Sequence, residues 1–200
     1  MSNIVGLKNK SVKVNIGTET IDGTTNDNGI FTGTKTLSSP GTITTSALFD
    51  GDEDYGAVSS ESITVNVKYR TTLALTGNIN VLTTDKNTYD IVLKHGGSAD
   101  ESLETLDGKT VKVLIDGALA YTLTTSEGGH ASFQHQFTAE AHTIKVMFEE
   151  DEENWECVSN ELTVNVAKGS TSLEFTVDKT KVIVGDDLTF TATLKGAAKE

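Results

Sequence analysis

The chain repeats itself at a spacing of about 100 residues, and this period limits the available folds more than any other feature. Three pairs of segments match: LKNKSVKV with LDGKTVKV (residues 7–14 and 106–113), TTSALFDGDEDYGAVSSESITVNV with TIKVMFEEDEENWECVSNELTVNV (44–67 and 143–166), and TTLALT with TSLEFT (71–76 and 171–176). Their offsets are 99, 99 and 100 residues. Since this period is the length of a small domain, the sequence predicts repeated domains.

Apolar residues within the unit alternate with other residues at every second position. The alternating sets are Val111, Val113 and Ile115; Ile144, Val146 and Phe148; and Leu162, Val164 and Val166. Period-two alternation places each set on one face of a strand, which must be buried against a second sheet. Asp116-Gly117 supplies the positive-φ residues of a tight hairpin, and we expect residues 98–106 to form a loop. The predicted fold class is all-β.

Several of these segments resemble the immunoglobulin-like repeats of large surface proteins, especially archaeal adhesin-like proteins and related bacterial and phage modules. The segments are TSLEFTVDKTKVIVGDDLTFTATL (171–194), GKTVKVLIDG (108–117), TTSEGGHASF (124–133), FDGDEDY (49–55) and the closing TVNV strands. The resemblance covers nearly the whole chain and implies tandem immunoglobulin-like β-sandwich repeats. Such modules typically act as stalks, spacers or adhesive tips, so it also implies an extracellular, cell-surface or virion-surface location.

The phase of the repeat predicts one whole sandwich between two complementary pieces. Residues 69–167 form a complete unit, residues 1–68 lack the first two strands of a unit, and residues 168–200 contain only those two strands. We hypothesise donor-strand complementation, in which the tail of one copy completes the head of the next, or of the same chain. Contact between copies is favoured, because same-chain closure must reach around a whole intervening sandwich. The predicted interface side chains are Leu173, Phe175, Val182, Val184, Leu188, Phe190 and Leu194. The alternative is a piece cut from a longer array, whose partners are neighbouring repeats.

Charge limits the classes of partner. The chain has 16 basic and 29 acidic residues, a net charge of −13. Because such a surface repels phosphate backbones and anionic headgroups, we expect no nucleic-acid partner. No apolar run approaches the roughly 18–20 residues of a membrane span, so no membrane insertion is expected. The start, MSNIVGLK, carries no visible secretory signal, which departs from the family resemblance.

Two acidic turns at equivalent positions are the candidate metal sites. The candidate ligands for calcium are Asp50, Asp52 and Asp54 in the first turn, and Glu150, Asp151 and Glu153 in the second. Calcium takes six to eight oxygen ligands, but neither turn has the ordered spacing of a known calcium loop. The alternative is a solvated loop that keeps the surface soluble. No other cofactor is predicted.

Residues with potential chemistry do not form a recognisable catalytic set. Cys157 stands alone as a half-buried residue, and His130 and His135 should lie on opposite faces of one strand. The sequence contains no G-x-S-x-G and no phosphate-binding glycine loop, so no enzyme is predicted. Tyr55 and Trp155 are expected to plug the end of a sandwich rather than to stack on sugars. The alternative function is a lectin-like or protein-binding module that contacts a host glycan or protein.

Overall fold

The computed structural model describes residues 5–97 and 103–196, and within these ranges the regular structure is all strand, with no helix. The all-β class is therefore confirmed. The contacts between residues divide the chain into two compact units. The first unit comprises Met1–Arg70, Gly96–Glu101 and Glu150–Trp155. The second unit comprises Thr71–His95, Ser102–Glu149 and Glu156–Glu200.

The first unit contains a single antiparallel sheet, called here the open sheet. Its strands are β1 (Ser11–Ile16), β2 (Glu19–Thr24), β3 (Gly41–Phe49), β4 (Val58–Ser59) and β5 (Ile63–Val67). β1 lies between β2 and β3, and β3 also pairs with β4 and β5. Among described residues 5–70, Thr25 alone is buried. This sheet therefore has apolar strands but no closed core.

The second unit begins with two sheets that share one core. The strands are β6 (Arg70–Gly77), β7 (Asn80–Leu82), β8 (Asn87–Gly96), β9 (Glu104–Thr105), β10 (Thr110–Ile115), β11 (Ala118–Thr124), β12 (His130–His135), β13 (Glu140–Phe148), β14 (Cys157–Val158) and β15 (Leu162–Ala167). One sheet has the order β11-β10-β13-β15-β7, with β14 on β13, and the other has the order β12-β8-β6, with β9 on β8. The pairing of β15 with β7 is parallel. This arrangement is consistent with a β-sandwich.

The core of these two sheets confirms the alternation read from the sequence. Val111, Val113, Ile144, Val146 and Val164 have no exposed surface. Ile115, Leu162 and Val166 are partly buried and pack against the same cluster. From the opposite sheet, the ring of Tyr89 stacks on Phe133 with centroids 5.3 Å apart. Removal of these side chains from water is the main stabilising contribution.

Turn chemistry is confirmed at one position and corrected at another. Asp116 and Gly117 have φ values of 52° and 79°, and they connect β10 to β11 as the Asp-Gly pair predicts. The expected loop at residues 98–106 is wrong in part, because Glu104–Thr105 pairs with β8 as β9. Residues 98–102 lie outside the described part of the chain.

The last two strands form a separate two-stranded sheet, called here the tail hairpin. β16 (Thr171–Val177) and β17 (Phe190–Gly196) are antiparallel, and each pairs with the other alone among the described strands. Leu173 lies opposite Leu194, Phe175 opposite Ala192 and Val177 opposite Phe190. Because opposed residues point to the same side, the hairpin has one apolar face and one polar face.

The open sheet has the strand order of the larger sheet in the second unit. β2-β1-β3 with β4 and β5 matches β11-β10-β13 with β14 and β15. Lys13 pairs with Leu48, and 99 residues further on Lys112 pairs with Met147. The hydroxyl of Thr25 donates to the carbonyl of Leu7, as that of Thr125 does to Leu106. The two sheets therefore share strand order, and their registers match except that β11 has one additional residue at a bulge opposite Val113 and Leu114 of β10.

Gly77 is required for the packing of Tyr89. A Cβ at position 77 would lie 2.2 Å from Cδ1 of the Tyr89 ring. We expect Gly77→Ala to lower the free energy of unfolding by about 1–3 kcal/mol, the usual cost of overpacking a core. A Cβ at Gly97 would have no atom within 4 Å, so Gly97→Ala is the matched control. Urea denaturation of both variants measures the difference, and equal stabilities would contradict this packing.

Candidate assembly interface

The open sheet presents an apolar face. Val14 lies opposite both Ile21 of β2 and Ala47 of β3, so the three side chains share one side. The apolar side chains on this side are Val12, Val14, Ile16, Ile21, Ile43, Ala47, Phe49, Val58, Ile63, Val65 and Val67. All are half-buried or exposed, whereas Val111, Val113, Val146 and Val164 at the matching positions are fully buried. The face is thus a core surface without a covering sheet.

Two grooves mark this apolar side of the first unit. A groove of about 280 Å³ is lined by Val14, Ile16, Ile21 and residues 31–34. Another, of about 310 Å³, is lined by Val12, Ala47–Phe49 and residues 58–60. The ring of Phe31 lies over Gly23, where an added Cβ would be 2.2 Å from ring atom Cε2. Phe31 therefore shields part of β2.

The tail hairpin carries the complementary surface. Leu173, Phe175, Phe190 and Leu194 are 67%, 64%, 68% and 71% exposed, whereas Leu73, Leu75, Tyr89 and Leu93 in the second unit are 8%, 2%, 0% and 0% exposed. The pattern of apolar positions is the same in both strand pairs, but only one pair is covered. Large apolar side chains aligned on one exposed face are typical of an interaction surface.

The structure brings together part of the interface predicted from the sequence. Four of the seven predicted side chains share the apolar face of the tail hairpin, while Val182, Val184 and Leu188 lie in the connection between β16 and β17. Sequence reasoning missed Val177, which shares that face, and the exposed Ile183 in the connection. Val177 continues the alternation of Leu173 and Phe175, so the signal was present.

The acidic turns bind their own backbone and nearby lysines. The carboxylate of Asp52 accepts hydrogen bonds from the amides of Asp54 and Tyr55, both at 2.9 Å. Asp151 does the same with Glu153 at 3.0 Å and Asn154 at 2.8 Å. These bonds close two equivalent Asx turns.

Lysines pair with several of the candidate calcium ligands. The ion pairs are Lys10–Asp52, Lys13–Asp50 and Lys68–Glu150. The hydrogen bond from Lys10 holds the pKa of Asp52 below its usual value. Among residues 5–97 and 103–196, no three His, Cys, Asp or Glu side chains gather as a metal site, so the six candidates do not converge.

The two aromatic residues near these turns are not plugs, and that prediction is wrong. Tyr55 and Trp155 are 45% and 40% exposed. The Nζ of Lys10 lies 5.0 Å from the Tyr55 ring centroid, and that of Lys68 lies 4.8 Å from the Trp155 centroid. Because a lysine lies beside each acidic turn, the aromatic ring next to that turn makes a cation–π contact at the surface instead of packing in a core. Asn154 is the buried residue there.

His135 and His142 lie near each other, because both rings contact the ring of Phe137. His135 contacts the Tyr121 hydroxyl through Nδ1 at 2.8 Å, and burial lowers its pKa. His142 pairs with Asp116 and lowers the pKa of that carboxyl. Cys157 is half-buried, as predicted, and burial raises the pKa of its thiol, which lowers its reactivity at neutral pH.

Within the described residues, these features define an all-β protein with mainly antiparallel strand pairing, one closed core and two uncovered apolar faces. A comparison with protein-family models finds no match, and neither does a comparison with curated proteins. Within the described ranges, no helix is long and apolar enough to cross a membrane.

Burial of His135 predicts a loss of stability in acid. Its folded-state pKa is lowered, so the unfolded chain, with a pKa of about 6.5, binds the proton more readily. The free energy of unfolding should therefore fall as pH drops below about 6.5. His135→Gln should reduce this loss, whereas His130→Gln, an exposed residue of the same strand, should retain it. Urea denaturation at neutral and mildly acidic pH measures both, and equal losses would refute the role of His135.

Proposed function

We propose that this chain is a non-enzymatic structural module built from tandem immunoglobulin-like β-sandwich repeats, with a period of about 100 residues. Support comes from the open sheet, which shares strand order with β10, β11 and β13–β15. At an offset of 99 residues, the register of β3 with β1, β4 and β5 is that of β13 with β10, β14 and β15. Further support comes from β16 and β17, which have the apolar pattern of β6 and β8. The division into residues 1–68, 69–167 and 168–200 is part of this proposal.

The observation that carries the function is the pair of complementary uncovered faces. The open sheet has the apolar surface of a sandwich half, and the tail hairpin has the apolar surface of the strands that would cover it. The occupant that we propose for the open sheet is the tail hairpin of a second copy. Each large apolar side chain that leaves water on docking contributes about 1.5–3 kcal/mol.

Head-to-tail contact of this kind propagates. The open sheet and the tail hairpin are different surfaces, so an open assembly of any length still has one free open sheet at one end and one free tail hairpin at the other. Such a heterologous contact generates a ring when the rotation closes and a filament when it does not. The proposed role is therefore a fibre, stalk or adhesive element at a cell or virion surface, outside the cell, as the family resemblance implies.

A second candidate is a module that binds a host glycan or protein. The exposed ring of Trp155 is the observation that favours it, since exposed aromatic rings stack on sugars. The covering ammonium of Lys68 occupies one side of that ring. A glycan array tests this function independently of assembly.

Assembly is tested on the pure full-length chain by light scattering coupled to size exclusion. We expect mass to increase with concentration and negative-stain images to show rings or filaments. Salt near 0.15 M should favour association, because a net charge of −13 per copy repels other copies at low ionic strength. A monomer at all concentrations would overturn the proposed assembly, and glycan binding by that monomer would favour the second candidate.

Two substitutions on β16 test whether docking uses the apolar face of the tail hairpin. Phe175→Asp should abolish association, because it places a charge at the centre of the apolar face. Thr176→Asp adds the same charge to the polar face of the same strand and should leave association unchanged. Both positions are exposed, so neither change disturbs the core of a single copy. The two variants are compared by light scattering, and equal loss of assembly would contradict docking through the apolar face.

A further inference from the structure

We infer that the tail hairpin docks on a second copy in one register, in which residues 181–183 extend the open sheet as a strand parallel to β5, with Val182 beside Val67. This inference rests on the proposed function and specifies its interface. In the same register, β17 pairs with residues 30–35 of the second copy. The closed core of the second unit provides the template for both pairings.

The turn before β17 aligns the tail hairpin with that template. The amide of Asp85 donates to the carbonyl of Leu82 at 3.0 Å, and 101 residues further on Asp186 donates to Ile183, also at 3.0 Å. This offset places Val182 at the position of Val81, which is buried. The offset between β6 and β16 is 100 residues, whereas the offset between Val81 and Val182 is 101 residues. The connection after β16 therefore has one additional residue.

The parallel pairing follows from the position of β7. Val81 lies beside Val166 of β15, and Val67 of β5 stands 99 residues before Val166. Residues 181–183 are in no strand, and β5 pairs with β3 alone among the described strands. Each segment therefore lacks the partner that its counterpart has in the second unit.

The antiparallel pairing follows from β12, which pairs with β8 alone among the described strands. Phe133 lies opposite Tyr89, and Ala131 opposite Ile91. The corresponding docked pairs are Gly33 with Phe190 and Phe31 with Ala192, each of which sets a large side chain against a small one. In the structure, residues 30–38 are in no strand.

A third segment also lacks the strand pairing that its counterpart makes in the second unit. β9 pairs with β8, and its counterpart, residues 5–6, is also in no strand. In the described part of the second unit, three strand pairings join the β6–β8 segment to strands later in the chain. They are β7–β15, β8–β12 and β8–β9. The counterparts of these three pairings are missing, while those within the open sheet and the tail hairpin are formed. Docking in the inferred register would form all three.

The register is tested by disulfide trapping between two single-cysteine chains, both carrying Cys157→Ser. One chain carries Val67→Cys and the other Val182→Cys, so a heterologous cross-link forms only between copies. Adjacent strands lie about 4.8 Å apart, within the roughly 4.4–6.8 Å between Cα atoms that a disulfide spans. The control replaces Val182→Cys with Val184→Cys, which moves the thiol about 6.6 Å along the strand and out of reach.

Mild oxidation of the first mixture should give a covalent dimer on a non-reducing gel, with a peptide linking positions 67 and 182, and at least tenfold less product in the control. Preferential linkage to position 184, with assembly retained by light scattering, would overturn the register and leave the proposed function standing. Assembly without a cross-link in either mixture would also overturn the register. A monomer without cross-links would overturn both. Hydrogen exchange that slows at residues 30–35 in assembled wild type but not in Phe175→Asp would support the register independently.

Discussion

The burial of one apolar sheet face against a second sheet is the constraint on which the rest of this molecule depends. Val113 and Val14 occupy equivalent positions, on β10 and β1, yet Val113 has no exposed surface and Val14 is only half-buried. The local strand is the same in both, because its backbone pairs with the same neighbours. What differs is the presence of a covering layer, and an uncovered layer leaves the hydrophobic contribution of its side chains unrealised.

Strand pairing explains why the two uncovered pieces retain their shapes. Each piece satisfies its internal hydrogen bonds, so the open sheet and the tail hairpin are formed without a partner. Residues 5–6, 30–35 and 181–183, whose counterparts in the second unit pair as β9, β12 and β7, have no strand structure. Exposed sheet edges and apolar faces pair readily with other chains.

The acidic turns place negative charge at the surface of the protein. The acidic turns carry much of the negative charge, but Asp52 and Asp151 accept backbone amides and lysines neutralise several neighbours. Such exposed pairs contribute little to stability, while the net charge of −13 keeps copies apart at low salt. The negative charge thus opposes nonspecific association between copies.

The sequence by itself determined the all-β class, the hairpin at Asp116-Gly117 and the buried face of β10, β13 and β15, because period-two alternation and turn residues act locally. It also located four side chains on the apolar face of the tail hairpin. The sequence did not determine the surface position of Tyr55 and Trp155. An aromatic ring can pack in a core or contact a lysine, and the sequence pattern does not distinguish the two. Only the tertiary structure decided this, together with the absence of strand structure at residues 30–38. Both depend on which distant groups come into contact, and contacts between distant groups leave no periodic signal in the chain.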